Sequence, residues 1–162
     1  MNGPASLVAP DASCGSLLPG HDFADAYQVG AAASGLTARR AAEAILTRPP
    51  AWVRRLVKAR NRIVGPFRLK TVEIGLDQPL QPTIGGFPVV AQSAREVVLG
   101  FDDRHLDFRI SVTVNASSGT GTLVTVATIV KTNNFLGRAY LATIMPFHRL
   151  IVRHLLEQAR FN

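Results

Sequence analysis

Residues 133–160 read NNFLGRAYLATIMPFHRLIVRHLLEQAR, and the spacing of their apolar side chains decides the fold. At about 100° per residue, Tyr140, Ile144, Ile151 and Leu155 fall in one stripe, widened by Leu141, Phe147 and Val152. Arg138, Arg149, Arg153, Glu157 and Arg160 lie opposite. Asn133 or Asn134 can cap the start. The pattern predicts one long amphipathic helix from about Phe135 to Arg160, with Pro146 as its candidate kink. His148 falls between Leu141 and Leu155, in the middle of the apolar face.

Upstream of this helix the period changes to two. In 104–115, Leu106, Phe108, Ile110, Val112 and Val114 alternate with His105, Asp107, Arg109, Ser111 and Thr113. Such alternation marks a strand with one apolar face. Similar runs at 89–101 and 120–131 flank it, with Asp102-Asp103 and Ser117-Ser118-Gly119 between them. Short links between long β-branched runs predict an antiparallel meander. Residues 75–88, rich in proline and glycine, read as a loop, and Leu69–Ile74 as a short strand. Gly85-Gly86 is an ordinary loop or a lid hinge.

The amino-terminal third adds two helices and a strand. Residues 21–29 alternate weakly and predict a first strand. Thr37 can cap a helix through ARRAAEAIL, and Pro49-Pro50 starts a second, AWVRRLVKARNRIV, which Gly65-Pro66 ends. In that second helix Arg54, Arg55, Lys58 and Arg62 face away from Trp52, Leu56, Ala59 and Ile63, while Arg60 points into the apolar sector. Residues 1–15 read as a flexible leader and 16–162 as one domain. An apolar sheet face needs cover, and the last helix is long enough to cross it. The expected fold is therefore α+β and of the helix-grip kind, with an apolar cavity between a curved antiparallel sheet and the C-terminal helix.

Composition narrows the function classes. The chain is 162 residues long, 47% hydrophobic, with a net charge of +7. No apolar run is long enough to span a bilayer, and the N-terminus lacks a basic segment before an apolar run. The single cysteine, Cys14, permits no internal disulfide and is more economically an incidental residue than a reactive thiol. A cytoplasmic location is expected. The positive charge favours an anionic partner, but zinc-finger spacing, RNA-binding aromatic motifs and dense basic blocks are missing, which disfavours nucleic acid. The basic helix face reads as solvated. The sequence points to no cofactor and no metal, since four scattered histidines lack ligand spacing.

Several residues are candidates for chemistry. An imidazole on an apolar face needs a partner, so His148 is a core histidine held by backbone or an Asp, or a pocket residue able to donate a hydrogen bond or move a proton. An inward Arg60 needs compensation, from a ligand carboxylate or from Asp107, Glu73 or Glu96. His105, Asp107 and Arg109 share one strand face, which is a solvated ion-paired surface or a catalytic trio. Alternation alone leaves open which face of that strand lines the cavity. Trp52 and Tyr140 read as core or pocket lining.

Three groups of residues carry a family resemblance: Arg60-Asn61; His105-Leu106-Asp107-Phe108-Arg109; and Gly137-Arg138 with Tyr140 and Pro146-Phe147-His148-Arg149. Over roughly residues 16–160 the chain resembles an uncharacterised bacterial family in the START-like, polyketide-cyclase superfamily (SRPBCC, Bet v 1-like). That resemblance implies a helix-grip fold that binds lipids, polyketides or other hydrophobic molecules, with some relatives acting as cyclases or hydrolases. Similar domains also occur behind dinucleotide-binding, epimerase-like domains, which implies an oxidoreductase partner. This chain has no GxGxxG motif and is expected to be the stand-alone form.

The leading expectation is a pocket for a hydrophobic, anionic small molecule. Its walls would be Trp52, Leu106, Phe108, Ile110, Tyr140, Ile144 and Ile151, with Arg60 and His148 at the polar end. One alternative is an enzyme of the cyclase, dehydratase or hydrolase type, using His148 or the His105/Asp107 pair. Another is a basic interaction module.

Overall fold

Long β-branched runs build the centre of the structure. In the computed structural model, which describes residues 2–67, 82–119 and 121–161, β1 (Ser6–Val8) and helix α1 (Cys14–Leu17) precede β2 (Phe23–Ala31). Helices α2 (Ala38–Leu46) and α3 (Ala51–Val64) follow, then strands β3 (Thr83–Ile84), β4 (Phe87–Gln92), β5 (Glu96–Asp102), β6 (Leu106–Ala116) and β7 (Thr122–Thr132). Helix α4 (Phe135–Gln158) ends the chain. The strands form one antiparallel sheet in the order β1-β2-β7-β6-β5-β4-β3. The last strand of the meander thus pairs with β2, and the N-terminal strands close one flank.

Local chemistry accounts for the boundaries. The Thr37 hydroxyl accepts from Arg40 N at the start of α2, and Asn134 Oδ1 accepts from Gly137 N at the start of α4. Pro50 opens α3. The run 89–101, expected as one strand, is two: Ser93 Oγ accepts from Glu96 N, and this turn separates β4 from β5. The Gly85-Gly86 pair is a two-residue hairpin turn between β3 and β4, with φ of 59° and 87°. Only glycine adopts such values freely at both positions, so the ordinary-turn reading holds. The expected strand at 69–74 lies outside the described residues.

Within the stretch 1–15, expected as a loose leader, the described residues from Asn2 onward take part in the fold. β1 pairs with β2, Ala5 is buried in the main core, and Asn2 Nδ2 donates to the Ala159 carbonyl at 2.5 Å.

The two sheet faces differ. Tyr27 and Val29, Val97 and Leu99, Ile110 and Val112, and Val124 and Val126 point to one side, where they pack with Ala38, Ala41, Ala42 and Ile45 of α2 and Leu156 of α4. The even-numbered residues of β6 therefore face the helices, which resolves the choice that alternation leaves open. The other face carries a smaller cluster of Cys14, Leu18, Ala26, Ala127 and Ile129. The cover is shared: α2 lies over β5 and β6, and α4 over β2 and β7, so α4 does not cross the sheet alone.

Helix α4 is fastened at its ends. A Cβ at Gly137 would run into the His105 carbonyl oxygen, and Leu156 is fully buried. Alanine normally favours a helix over glycine. Gly137→Ala is nevertheless expected to destabilise the protein by about 1–3 kcal/mol through overpacking, and Leu156→Ala by about 2–5 kcal/mol through the cavity it leaves. The exposed control Leu150→Ala should stay within about 0.5 kcal/mol. Denaturant unfolding of the three variants checks this, and a stabilised Gly137→Ala would contradict the close approach.

Candidate functional site

Strand β2 sets the first polar group of the site. Phe23, Asp25, Tyr27 and Val29 occupy successive positions on its helix-facing side, so a carboxylate stands in an otherwise apolar row. Asp25 is 7% exposed, and its Oδ1 lies 3.3 Å from His148 Nε2 on α4. Among the described residues Asp25 Oδ2 is buried without a hydrogen-bond partner. The Phe23 ring meets the His148 ring edge-on at 6.3 Å. A groove of about 340 Å³ opens beside this pair at the β1/β2 edge, with Leu7, Val8, Phe23, Asp25, Tyr27 and Arg149 in its wall. Of the two sequence readings of His148, the pairing with an Asp is what the structure shows, and it leaves the imidazole half-buried.

Helices α3 and α4 set the second polar group. Arg60 Nε donates to the Tyr140 hydroxyl at 2.7 Å, its guanidinium carbon lies 5.2 Å from the ring centre, and Nη1 donates to Asn61 Oδ1. Tyr140 thus serves as an acceptor for the inward arginine. Two of the suggested carboxylate partners are engaged elsewhere: Glu96 Oε1 accepts from Ser111 Oγ, and Asp107 Oδ1 accepts from Asn133 Nδ2. Glu73 lies outside the described residues. Further along, the Trp52 ring meets His154 edge-on at 5.1 Å.

The expected apolar walls lie on the two layers that face each other. Leu106 and Ile110 are buried on the sheet. Phe108 is half-buried between Phe87 and Phe101, with ring centres 5.5 and 5.0 Å away. On α4, Tyr140, Ile144, His148 and Ile151 are all half-buried, in contrast with the buried Gly137 and Leu156.

The His105, Asp107 and Arg109 set is not gathered into one constellation. His105 precedes β6, and its Nδ1 accepts from Asn134 Nδ2 at 2.9 Å, which ties the β5–β6 turn to the start of α4. Asp107 binds Asp103 N and Asn133 on the same turn. Arg109 pairs with Asp102 Oδ1 at 2.8 Å and donates to the Phe108 carbonyl. Asn134 is a helix cap, as expected, and Asn133 is a turn clasp.

Sequence reasoning missed Asp25. The signal was present, because an inward aspartate in the row Phe23-Asp25-Tyr27-Val29 must find a partner. Its identity as the partner of His148 was not readable, since 123 residues separate them.

Asp25 also acts on Tyr27, whose phenol titrates above its ordinary value, first because it is buried and next because the Asp25 carboxylate is close. A phenol raised in the folded state stabilises the fold below the unfolded value of about 10 and loses that contribution as pH rises through the folded value. Tyr27 and Tyr140 are the two tyrosines, so a Tyr140→Phe background isolates the signal. Asp25→Asn is expected to lower the Tyr27 midpoint while leaving it above that of a free tyrosine, read by ultraviolet absorbance. An unchanged midpoint would mean that the two groups do not face each other.

Among the described residues no group of three or more His, Cys, Asp or Glu side chains is placed to hold a metal ion. None of their helices is long and apolar enough to cross a membrane. No curated protein and no solved structure gives a significant match to the chain. A family model described as a protein of unknown function, DUF2867, matches residues 17–155. The match spans nearly all of the sheet and both polar groups of the site, and the chain belongs to that family, DUF2867.

Proposed function

We propose that the protein binds a hydrophobic small molecule with an acidic end between α4 and the helix-facing side of the sheet. The observation that carries this reading is the uneven burial of α4. Its ends are tightly packed at Gly137 and Leu156, while Tyr140, Ile144, His148 and Ile151 between them stay half-buried. Apolar side chains held at such a half-open seam gain from any apolar guest that fills it, at about 25 cal/mol per Å² removed from water. The antiparallel sheet with a long C-terminal helix agrees with the helix-grip arrangement of the START-like proteins, and this reading takes the chain as a distant member of that superfamily.

The two polar groups divide the ligand's ends. Asp25 beside His148 repels a second carboxylate, so the acid belongs near Arg60 and Tyr140. The Asp25–His148 end suits a hydroxyl or carbonyl group. A polyene fatty acid, fluorescent when bound, tests this directly. Saturable binding is expected, weakened about tenfold or more by Ile144→Trp or Ile151→Trp, which fill the seam. The methyl ester should bind more weakly than the acid, and Arg60→Gln should erase that difference. Binding that is absent, or indifferent to both tryptophans, would end the proposal.

The Asp25–His148 pair favours a second reading, acid/base catalysis on the same scaffold. A carboxylate that orients an imidazole beside a groove can move a proton, worth about 10²–10⁴ in rate. On any substrate that turns over, His148→Ala and Asp25→Asn should each slow kcat within that range, whereas His105→Ala should not. Equal loss from all three would point to folding instead.

A further inference from the structure

Folding concentrates the charge of this chain on one layer. Helix α3 carries Arg54, Arg55, Lys58, Arg60 and Arg62 and no acidic residue. Helix α4 carries Arg138, Arg149 and Arg153 against Glu157 alone. Eight of the 18 basic residues and one of the 11 acidic ones thus lie on these two helices. Their combined charge is +7, the net charge of the whole chain, and the remaining residues sum to zero. The helices are neighbours, joined by the Arg60–Tyr140 hydrogen bond and the Trp52–His154 contact.

The same helices expose large apolar side chains. Among the described residues, Ile63, Phe135, Phe147 and Leu150 are four of the six large hydrophobic side chains left open, with Phe135 at 76% and Leu150 at 57%. At 100° per residue, Phe135, Ala139, Pro146 and Leu150 fall within about 60° of arc on the outward side of α4. Arg138, Arg149 and Arg153 run along one flank of this crest, and the basic face of α3 lies beyond the other.

We infer that the outer surface of α3 and α4 docks on an anionic lipid membrane, lying in its interface rather than spanning it. Phosphate groups answer the arginines, and the acyl region answers the crest. A soluble polyanion such as nucleic acid would satisfy the charge alone. It offers nothing to the aliphatic Leu150, whose exposure is otherwise unfavourable. The inference rests on the charge layout and exposed crest, independently of any ligand in the seam.

Flotation of the full chain with vesicles tests it. Vesicles of phosphatidylcholine with one third phosphatidylglycerol should carry the protein, and phosphatidylcholine alone should not. Added salt should weaken binding without abolishing it at once, because part of the affinity is apolar. Arg54→Glu with Arg55→Glu and Lys58→Glu should abolish flotation. Phe135→Ser with Leu150→Ser should reduce it about tenfold at unchanged net charge and unchanged unfolding midpoint, both sites being exposed. In a Trp52→Phe background, Leu150→Trp should shift its emission to the blue on anionic vesicles. Failure to float on anionic vesicles would overturn the inference. So would a Phe135→Ser/Leu150→Ser variant that floats like the parent, or an emission of Leu150→Trp unmoved by lipid; single-stranded DNA bound more tightly than vesicles would assign the surface to nucleic acid instead. Pocket binding of the fatty acid by the charge-reversed variant separates this result from the fate of the proposed seam.

Discussion

The close approach of Gly137 to the His105 carbonyl is the constraint on which the rest depends. It brings the start of α4 against the β5–β6 turn with no side chain between them. Asn134 makes the approach specific, since one amide caps the helix and reaches His105. The Asn133 backbone N–H, bonded to the His105 carbonyl at 2.8 Å, adds a second tether on the same atom. A helix fixed so firmly at one end has its direction set before its middle makes a contact. Leu156, buried with Ala38, Ala41 and Ala42 around it in the core, then sets the far end.

What lies between these two points follows. The small residues of α2 let that helix sit low on β5 and β6, and they fill the core there. Helix α4 lies over β7 and β2, and its Tyr140, Ile144, His148 and Ile151 are half-buried. Beside His148 of α4, β2 places Asp25. Burying a carboxylate with one oxygen unanswered is costly, and a leucine of similar size would pack better. That cost is why the pair weighs more in the proposed reading than its single 3.3 Å contact would suggest.

Legibility in the sequence followed the range of the forces involved. The caps Thr37 and Asn134, the start of α3 at Pro50 and the extent of α4 are local, and periodicity with capping chemistry located them. The split of 89–101 into β4 and β5 was hidden because Ala94 and Arg95 carry no turn signal, and the Ser93 clasp works only once the strands have paired. The sharing of the sheet between α2 and α4 was equally hidden, being decided by the size of alanines that touch distant strands. Arg60 was visible as an inward cation from its phase on the helix, yet Tyr140, its acceptor, was legible only as an apolar wall. The polar set of His105, Asp107 and Arg109 was legible as two alternatives, an ion-paired surface or a catalytic trio. Alternation allowed either, and the structure sends His105, Asp107 and Arg109 to three different partners.

Charge behaves differently from all of these. Along the chain the arginines look dispersed, and a dispersed positive charge reads as a solvated surface. Yet α3 and α4 are separated by about the whole meander in sequence and lie side by side in space. The acidic and basic residues outside these helices sum to zero, so the net charge of the chain equals that of this layer. At physiological salt a field of this kind reaches about 8 Å, short of the far side of the sheet. Any anionic partner therefore meets the helical layer first. Helix α3, with Val53 as its one buried side chain among those described, is the part of that layer least committed to the core.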